Sequence, residues 1–262
     1  MEPRLFTDMT DLAPKNVLVT GAAKRLGRAI ALDLAGAGWD VAVHYNGSRK
    51  DAEATAAEIR ALGRRVALLQ ADVSKEDDTR ALIGRATKEL GPITALINSA
   101  SLFENDDWQS ASRESWDKHM EVNLRAPFVL AQEFAKALPA DMHGAIVNIV
   151  DQRVLKPTPQ FMTYGLSKAG LYWLNTTLAQ ALAPRIRVNA IGPGPTMINA
   201  RQRQADFDRQ REATVLGTGA DPQDVCAAVR YLLNAPVVTG QMIAVDGGQH
   251  LIWQTPDVIG TE

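Results

Sequence analysis

Seven short apolar runs recur along the chain, separated by segments whose apolar residues fall three and four apart, and this alternation limits the possible folds more than any single motif. The runs Asn16 to Val19, Val41 to Tyr45, Val66 to Gln70, Ala95 to Asn98, Ala145 to Val150, Ile186 to Ile191 and Met242 to Val245 have the length and composition of strands. Arg28 to Ala37, Ala52 to Leu62, Asp77 to Leu90 and Leu171 to Ala183 carry helical spacing, so each strand returns through a helical crossover, as parallel neighbours require. The expected architecture is α/β, a doubly wound parallel Rossmann sheet of seven strands in a single domain spanning residues 1–262. The region from Gly192 to about Gly219 is irregular in pattern and is expected to form a lid. Its Arg201, Arg203, Asp206, Asp208, Arg209 and Arg211 mix signs as a solvated helix face does.

Composition narrows the partners. With 46% apolar residues, 22% charged residues and a formal net charge of −2, the chain can build one sizeable core and offers no broad cationic face to nucleic acid. No apolar run approaches the ~18 residues of a membrane span. Cys226 is the only cysteine and sits in a helical pattern with Val225 and Val229, which reads as a buried thiol. The amino-terminal MEPRLFTDMTDLAPK lacks a secretory pattern, and together with the cysteine usage this points to the cytoplasm. His44, His119, His143 and His250 lack metal-ligand spacing, so no metal is expected.

Two constellations carry chemistry. The first strand runs into Thr20-Gly21-Ala22-Ala23-Lys24-Arg25-Leu26-Gly27 and then a helix, the context in which glycines let backbone amides approach a pyrophosphate. After the second strand the chain reads His44-Tyr45-Asn46-Gly47-Ser48-Arg49-Lys50, with no carboxylate to accept from a ribose hydroxyl. Arg25, Ser48 and Arg49 are instead suited to a 2′-phosphate, so NADP(H) is expected over NAD(H). In the second constellation, Tyr164 and Lys168 lie four apart after the fifth strand and share a helix face. An ammonium ~4 Å from the phenol at an effective dielectric of 20 supplies about 4 kcal/mol, enough to lower its pKa by roughly three units. Tyr164 is therefore expected to exchange a proton near neutral pH.

From about Asn16 to Gly248 the chain resembles a classical short-chain dehydrogenase/reductase. The resemblance rests on Thr20-Gly21 through Gly27, Ala71-Asp72-Val73, Asn98-Ser99-Ala100-Ser101, Val122-Asn123-Leu124, Tyr164 with Lys168, Pro193-Gly194-Pro195-Thr196 and Val245-Asp246-Gly247-Gly248. It implies that Asp72 and Val73, beside Ala71, hold the adenine, and that Asn98 and Ala100 line the cofactor, as Pro193, Gly194 and Thr196 also would. Lys168 would bind the nicotinamide ribose while tuning Tyr164, and Asn123 would order a water leading to Lys168. Hydride transfer with Tyr164 as proton donor would follow. The family also implies a homotetramer, and the tail from His250 to Glu262 is a candidate to reach a neighbouring subunit's pocket.

Three departures resemble the pteridine reductases within that family. Arg25 replaces the middle glycine of the turn, Asn-Ser-Ala-Ser followed by Leu102 and Phe103 replaces Asn-Asn-Ala-Gly, and Asp151 replaces the serine usually found thirteen residues before the tyrosine. His44-Tyr45 matches as well. The resemblance implies that Arg25, Ser101 and Phe103 contact the cofactor or a pterin, with the Phe103 ring sandwiching the heterocycle against the nicotinamide. Asp151 would join Tyr164 in protonating ring nitrogens, which requires Asp151 to be partly protonated. The expected reaction is NADPH-dependent reduction of a dihydropterin. The alternatives are a carbonyl reductase for a 3-oxoacyl, steroid or sugar substrate, and a non-catalytic dinucleotide sensor.

Overall fold

Strands that are apolar at nearly every position, such as Asn-Val-Leu-Val over Asn16–Val19, need cover on both faces, and the fold supplies it with helices on either side of one sheet. The computed structural model describes residues 12–198 and 202–254. In chain order these form β1 (Asn16–Val19), α1 (Arg25–Gly36), β2 (Asp40–Tyr45), α2 (Arg49–Ala61), β3 (Val66–Gln70), α3 (Glu76–Leu90), β4 (Ala95–Asn98) and α4 (Arg113–Met120). A π-turn over Glu121–Arg125 leads to α5 (Ala126–Ala137), followed by β5 (Gly144–Ile149), α6 (Met162–Leu182), β6 (Ile186–Pro193), α7 (Gln204–Glu212), α8 (Pro222–Asn234) and β7 (Met242–Val245). All seven expected strands are present.

The sheet order is β3-β2-β1-β4-β5-β6-β7 and every pairing is parallel. Alternation along each strand divides the core. Val17 and Val19 face α1 and α8, where Ile30, Leu34, Val225 and Val229 are buried; Leu18 and Leu96 face Leu82, Leu130 and Phe134 of α3 and α5. Cys226 belongs to the first of these clusters, and burial pushes its thiol up to about 12. The order reverses between β1 and β4, so the crevice of a doubly wound sheet opens at the carboxyl ends of β1, β4, β5 and β6.

Some bounds differ from the sequence expectation. α1 starts at Arg25 and α6 at Met162, because the first turn of each helix carries site residues and has no complete apolar stripe. The expected lid is not wholly irregular, since α7 occupies Gln204–Glu212 within it. Its charges pair along the helix face, with Arg203 Nε 2.8 Å from Asp206 and Arg209 on the same carboxylate, while Phe207 turns inward. Arg201, the amino terminus through residue 11 and the tail from residue 255 lie outside the described residues. Among those described, no helix is long and apolar enough to cross a membrane.

Phe134 is fully buried, and its ring occupies the space that a side chain at Gly144 would need. Phe134→Ala should destabilise the fold by about 3–5 kcal/mol, read from the midpoint shift in chemical denaturation at unchanged slope.

Candidate active site

The first wall of the crevice is the turn after β1. The Thr20 hydroxyl accepts from the backbone N–H groups of Ser99 and Ala100, both at 2.9 Å, and so ties this turn to the end of β4. Gly21 is left-handed (φ 67°), and a Cβ there would sit 3.0 Å from Ala100 Cα; a Cβ on Gly27 would lie 2.3 Å from the Gly21 carbonyl oxygen. Both positions therefore require glycine. α1 begins with Lys24 at its N-cap, with no side-chain capping bond and no acid in its first turn. Leu26 and Gly27 follow in that turn, whose amides are oriented for an anion.

His44 and Tyr45 turn their side chains inward at the end of β2. Gly21 N–H donates to His44 Nδ1 at 3.1 Å, and His44 Nε2 lies 3.2 Å from the Ala71 carbonyl, so the imidazole is a buried brace beneath the turn. Burial pushes it down to about 4, and it stays neutral at pH 7. Tyr45 is buried in the core, and its carbonyl accepts from Ala71 N–H at 3.0 Å. His44, Tyr45 and Ala71 thus support the site from behind. An apolar second strand must bury its last side chains, and motif matching along the sequence does not show which way they point.

Arg25 lies at the mouth of the same turn. Its backbone is left-handed (φ 52°), and its guanidinium donates to the carbonyls of Ile198 at 2.7 Å and Met197 at 3.1 Å, joining the turn to the segment after β6. Lys24 precedes it in the turn. Its ammonium pairs at 3.0 Å with Asp51 in the first turn of α2, where Ser48 is an N-cap without a side-chain capping bond. Arg49 is exposed beside it, paired with Glu53 at 2.8 Å, and Asn46 is exposed just before. Solvent-exposed pairs of this kind hold weakly and can exchange for a phosphate.

Further along the crevice, Asp72 Oδ1 accepts from Ser74 N–H at 3.1 Å and Ser74 Oγ at 2.7 Å, with Val73 buried beside it. Asn98 Nδ2 donates to Asn148 Oδ1 at 2.8 Å, and Asn148 passes the bond on to Asn175 at 3.1 Å. Asn98 Oδ1 is buried and has no hydrogen-bond partner. Opposite, Pro193 ends β6, Gly194 N–H donates to the Val245 carbonyl at 3.0 Å, and Thr196 Oγ1 donates to the Gly194 carbonyl at 3.0 Å. The orphaned Asn98 oxygen and a turn that no Cβ can enter fit a dinucleotide lying across the carboxyl edge of the sheet.

At the end of β5, the Tyr164 hydroxyl donates to Asp151 Oδ2 at 2.7 Å. Lys168 shares the helix face as expected, with Nζ 5.8 Å from the Tyr164 ring centre, but its ammonium donates to the Ile149 carbonyl at 2.9 Å and not toward the phenol oxygen. The expected lowering of the phenol pKa is therefore overturned. Burial, followed by the charge and hydrogen bond of Asp151, raises Tyr164 well above its usual value of 10.0. Burial also pushes Lys168 down to about 8. The Asp151 oxygens accept from the Tyr164 hydroxyl and from Arg153 N–H at 2.8 Å, with the Arg153 guanidinium 3.5 Å away.

The Asn123 side chain, carried on the π-turn, is saturated by protein. Its Nδ2 donates to the Leu102 carbonyl and to Ser167 Oγ, both at 3.0 Å, while Oδ1 accepts from Leu102 N–H at 2.9 Å and Ser101 Oγ at 3.2 Å. It holds the Ser101-Leu102 loop to α6, and this side chain has no donor left for the expected water. Phe103 stacks on Phe161 with centroids 4.5 Å apart and rings 7° from parallel, and meets the Tyr164 ring edge-on at 4.7 Å. Arg153 lies over both phenyl rings, 5.5 Å from Phe103 and 5.0 Å from Phe161. One face of Phe103 is thus covered by protein. Lys24, Arg153 and Phe161 were missed in the sequence. Lys24 had a visible signal as the other cation of the turn, but Phe161 and Arg153 acquire their positions only through folding.

A family model described as enoyl-(acyl carrier protein) reductase matches residues 21–250. The 3-oxoacyl-[acyl-carrier-protein] reductase FabG of Staphylococcus epidermidis is 33% identical over 242 residues, covering 90% of this chain and 99% of that protein. The 3beta-hydroxysteroid dehydrogenase 1 of Eggerthella lenta is 36% identical over 251 residues, covering 92% and 95%. The crystal structure of FolM Alternative dihydrofolate reductase 1 from Brucella suis in complex with NADP superposes with a TM-score of 0.91 at 48% identity, covering 95% of this chain and 100% of that one.

Gly27→Ala tests the turn. It should lower the melting temperature by roughly 5 °C or more and weaken NADPH binding roughly tenfold or more in a fluorescence titration.

Proposed function

The chain belongs to the short-chain dehydrogenase/reductase family and is an NADP(H)-dependent oxidoreductase of a small-molecule substrate, and from that premise we propose that it reduces a dihydropterin to the tetrahydropterin. The observation that carries this reading is the hydrogen bond from Tyr164 to Asp151 beside the Phe103 ring. A flat, electron-poor heterocycle is held by aromatic stacking, and reducing its C=N bond requires a proton for nitrogen. The Brucella neighbour, an alternative dihydrofolate reductase by name, supports the same substrate class.

NADPH supplies the hydride when bound. Its dinucleotide would lie along Gly21, Leu26 and Gly27, with Lys24, Ser48 and Arg49 at the 2′-phosphate, Asp72 and Val73 at the adenine, and Asn98, Ala100, Pro193, Gly194 and Thr196 toward the nicotinamide. Lys168 would hold the ribose. Tyr164 keeps its proton through neutral pH and would donate it to the ring nitrogen as hydride reaches the adjacent carbon, leaving a neutral N–H, while Asp151 aims the hydroxyl. Ser101 and Phe103 would contact the substrate, as would Arg25, whose guanidinium reaches the segment after β6.

The curated relatives favour a second reading, a carbonyl reductase in which Asp151 only hydrogen-bonds. Membership in an enzyme family removes the non-catalytic sensor. A cytoplasmic homotetramer is part of the proposal, and light scattering in solution would report the assembly.

NADPH absorbance followed with a dihydropterin and a panel of ketones separates the two readings. Asp151→Ser should reduce kcat/KM for the dihydropterin roughly tenfold or more while sparing ketones, and Tyr164→Phe should cost about 100-fold or more. Full dihydropterin turnover by Asp151→Ser would refute the role of the carboxylate.

The buried Lys168, pushed down to about 8, gives a pH prediction. Its charged form predominates below that value and is lost above it, so kcat/KM should fall as pH rises through about 8. A pH profile that stays level to about 9.5 would remove Lys168 from this role.

A further inference from the structure

Behind the Phe103 and Tyr164 rings runs a buried polar chain that takes no part in the proton transfer. Asp106, His119 and Thr163 are 4%, 0% and 1% exposed. Thr163 donates twice to Asp106, from its N–H to Oδ1 at 3.0 Å and from its hydroxyl to Oδ2, and Ser115 Oγ donates to Oδ2 at 2.9 Å. Burial alone would raise the Asp106 carboxyl, but these hydrogen bonds outweigh it and hold the group below its usual value. His119 Nδ1 lies 2.7 Å from Thr163 Oγ1, and its Nε2 accepts from Glu104 N–H at 3.3 Å.

The direction of every proton in this chain is determined by its ends. A backbone N–H can only donate, so Nε2 is the acceptor and Nδ1 carries the hydrogen. Thr163 Oγ1 then accepts from Nδ1–H and passes its own proton to the carboxylate. Protonating His119 would turn Nε2 into a donor facing another donor. Burial already disfavours that form and outweighs the nearby carboxylates of Asp106 and Glu104, which favour it.

His119 is therefore bonded to one neighbour of each residue that shapes the slot. Glu104 follows Phe103, and Thr163 precedes Tyr164. The imidazole also meets the Tyr164 ring edge-on, with centroids 6.1 Å apart. The same loop is fastened to the start of α6 by Met162 N–H on the Asp106 carbonyl at 3.1 Å and Phe161 N–H on Asn105 Oδ1 at 3.2 Å. Phe161, which stacks on Phe103, is left-handed there (φ 56°), a conformation costly for an aromatic residue and maintained by its surroundings.

We propose that His119, as the neutral Nδ1–H tautomer, is a positioning residue that spaces the Phe103 ring from the Tyr164 hydroxyl and thereby sets the slot for a planar substrate. This rests on the dihydropterin reading for the identity of the substrate, but the spacing itself does not. Three substitutions dissect it. His119→Asn keeps an amide donor where Nδ1 stood and loses the bond to Glu104; His119→Gln keeps an acceptor where Nε2 stood and loses the bond to Thr163; His119→Ala loses both.

With a dihydropterin, His119→Ala should raise KM roughly tenfold while kcat falls less than about threefold, with Asn and Gln intermediate. NADPH affinity should stay within about twofold of wild type, which a general loss of structure would not allow. An unchanged dihydropterin KM in all three variants overturns the proposal, as does a parallel collapse of KM, kcat and NADPH affinity in the Asn and Gln variants. Crystal structures of the same variants read the spacing without any substrate. Displacement of the Phe103 ring from its 4.7 Å contact with Tyr164 supports the role, and an unmoved ring overturns it. If wild type reduces no dihydropterin, the substrate reading fails and the ring displacement still decides the question for His119.

Discussion

The hydrogen bond from the Tyr164 hydroxyl to Asp151 joins the end of β5 to the first turn of α6, and the other polar groups of the site are arranged to make it tolerable. A buried phenol next to a carboxylate holds its proton strongly, because deprotonation would place two negative charges in a medium with little screening. The Arg153 guanidinium lies 3.5 Å from the same carboxylate oxygen, and Lys168 is turned onto the Ile149 carbonyl. This geometry makes Tyr164 a donor that waits for a basic acceptor. An atom that becomes basic as hydride reaches its neighbour, imine nitrogen or carbonyl oxygen alike, meets that requirement.

Around this bond, the aromatic wall is held in place by contacts between neighbours in space that lie far apart in sequence. Asn123 grips Ser101 and Leu102, His119 and Asp106 fasten the following residues to α6, and Phe161 covers one side of Phe103. Each clamp is satisfied within the protein, as a rigid site requires. The π-turn that carries Asn123 sits where the chain passes from α4 to α5 and points a single amide at both the loop and Ser167.

The turn after β1 shows how adjacent residues divide their tasks. Arg25 occupies a left-handed position that glycine would take at no steric cost, and a non-glycine residue there costs roughly 1–2 kcal/mol. Two guanidinium bonds to the carbonyls of Met197 and Ile198 offset the strain and link the turn after β1 to the segment after β6. Lys24 is left facing the start of α2. The same two cations side by side in the sequence thus serve different ends of the crevice.

Strand number, parallel order and the position of the crevice were legible in the chain itself, because Val17, Val19, Val41 and Val43 alternate with residues of the opposite core and helical spacing separates every pair of strands. The phosphate turn and the pairing of Tyr164 with Lys168 on one helix face were legible for the same reason, since both are local geometries set by glycine conformation and helical repeat. Side-chain direction was not. His44 and Tyr45 turn into the core, Arg25 reaches across to Ile198, the Lys168 ammonium chooses a carbonyl, and Phe161 arrives at Phe103 from a different loop. Periodicity encodes which face of an element is buried, but burial, long-range hydrogen bonding and charge balance depend on partners brought together only when the sheet closes, and those decided where the protons and the cations of this site reside.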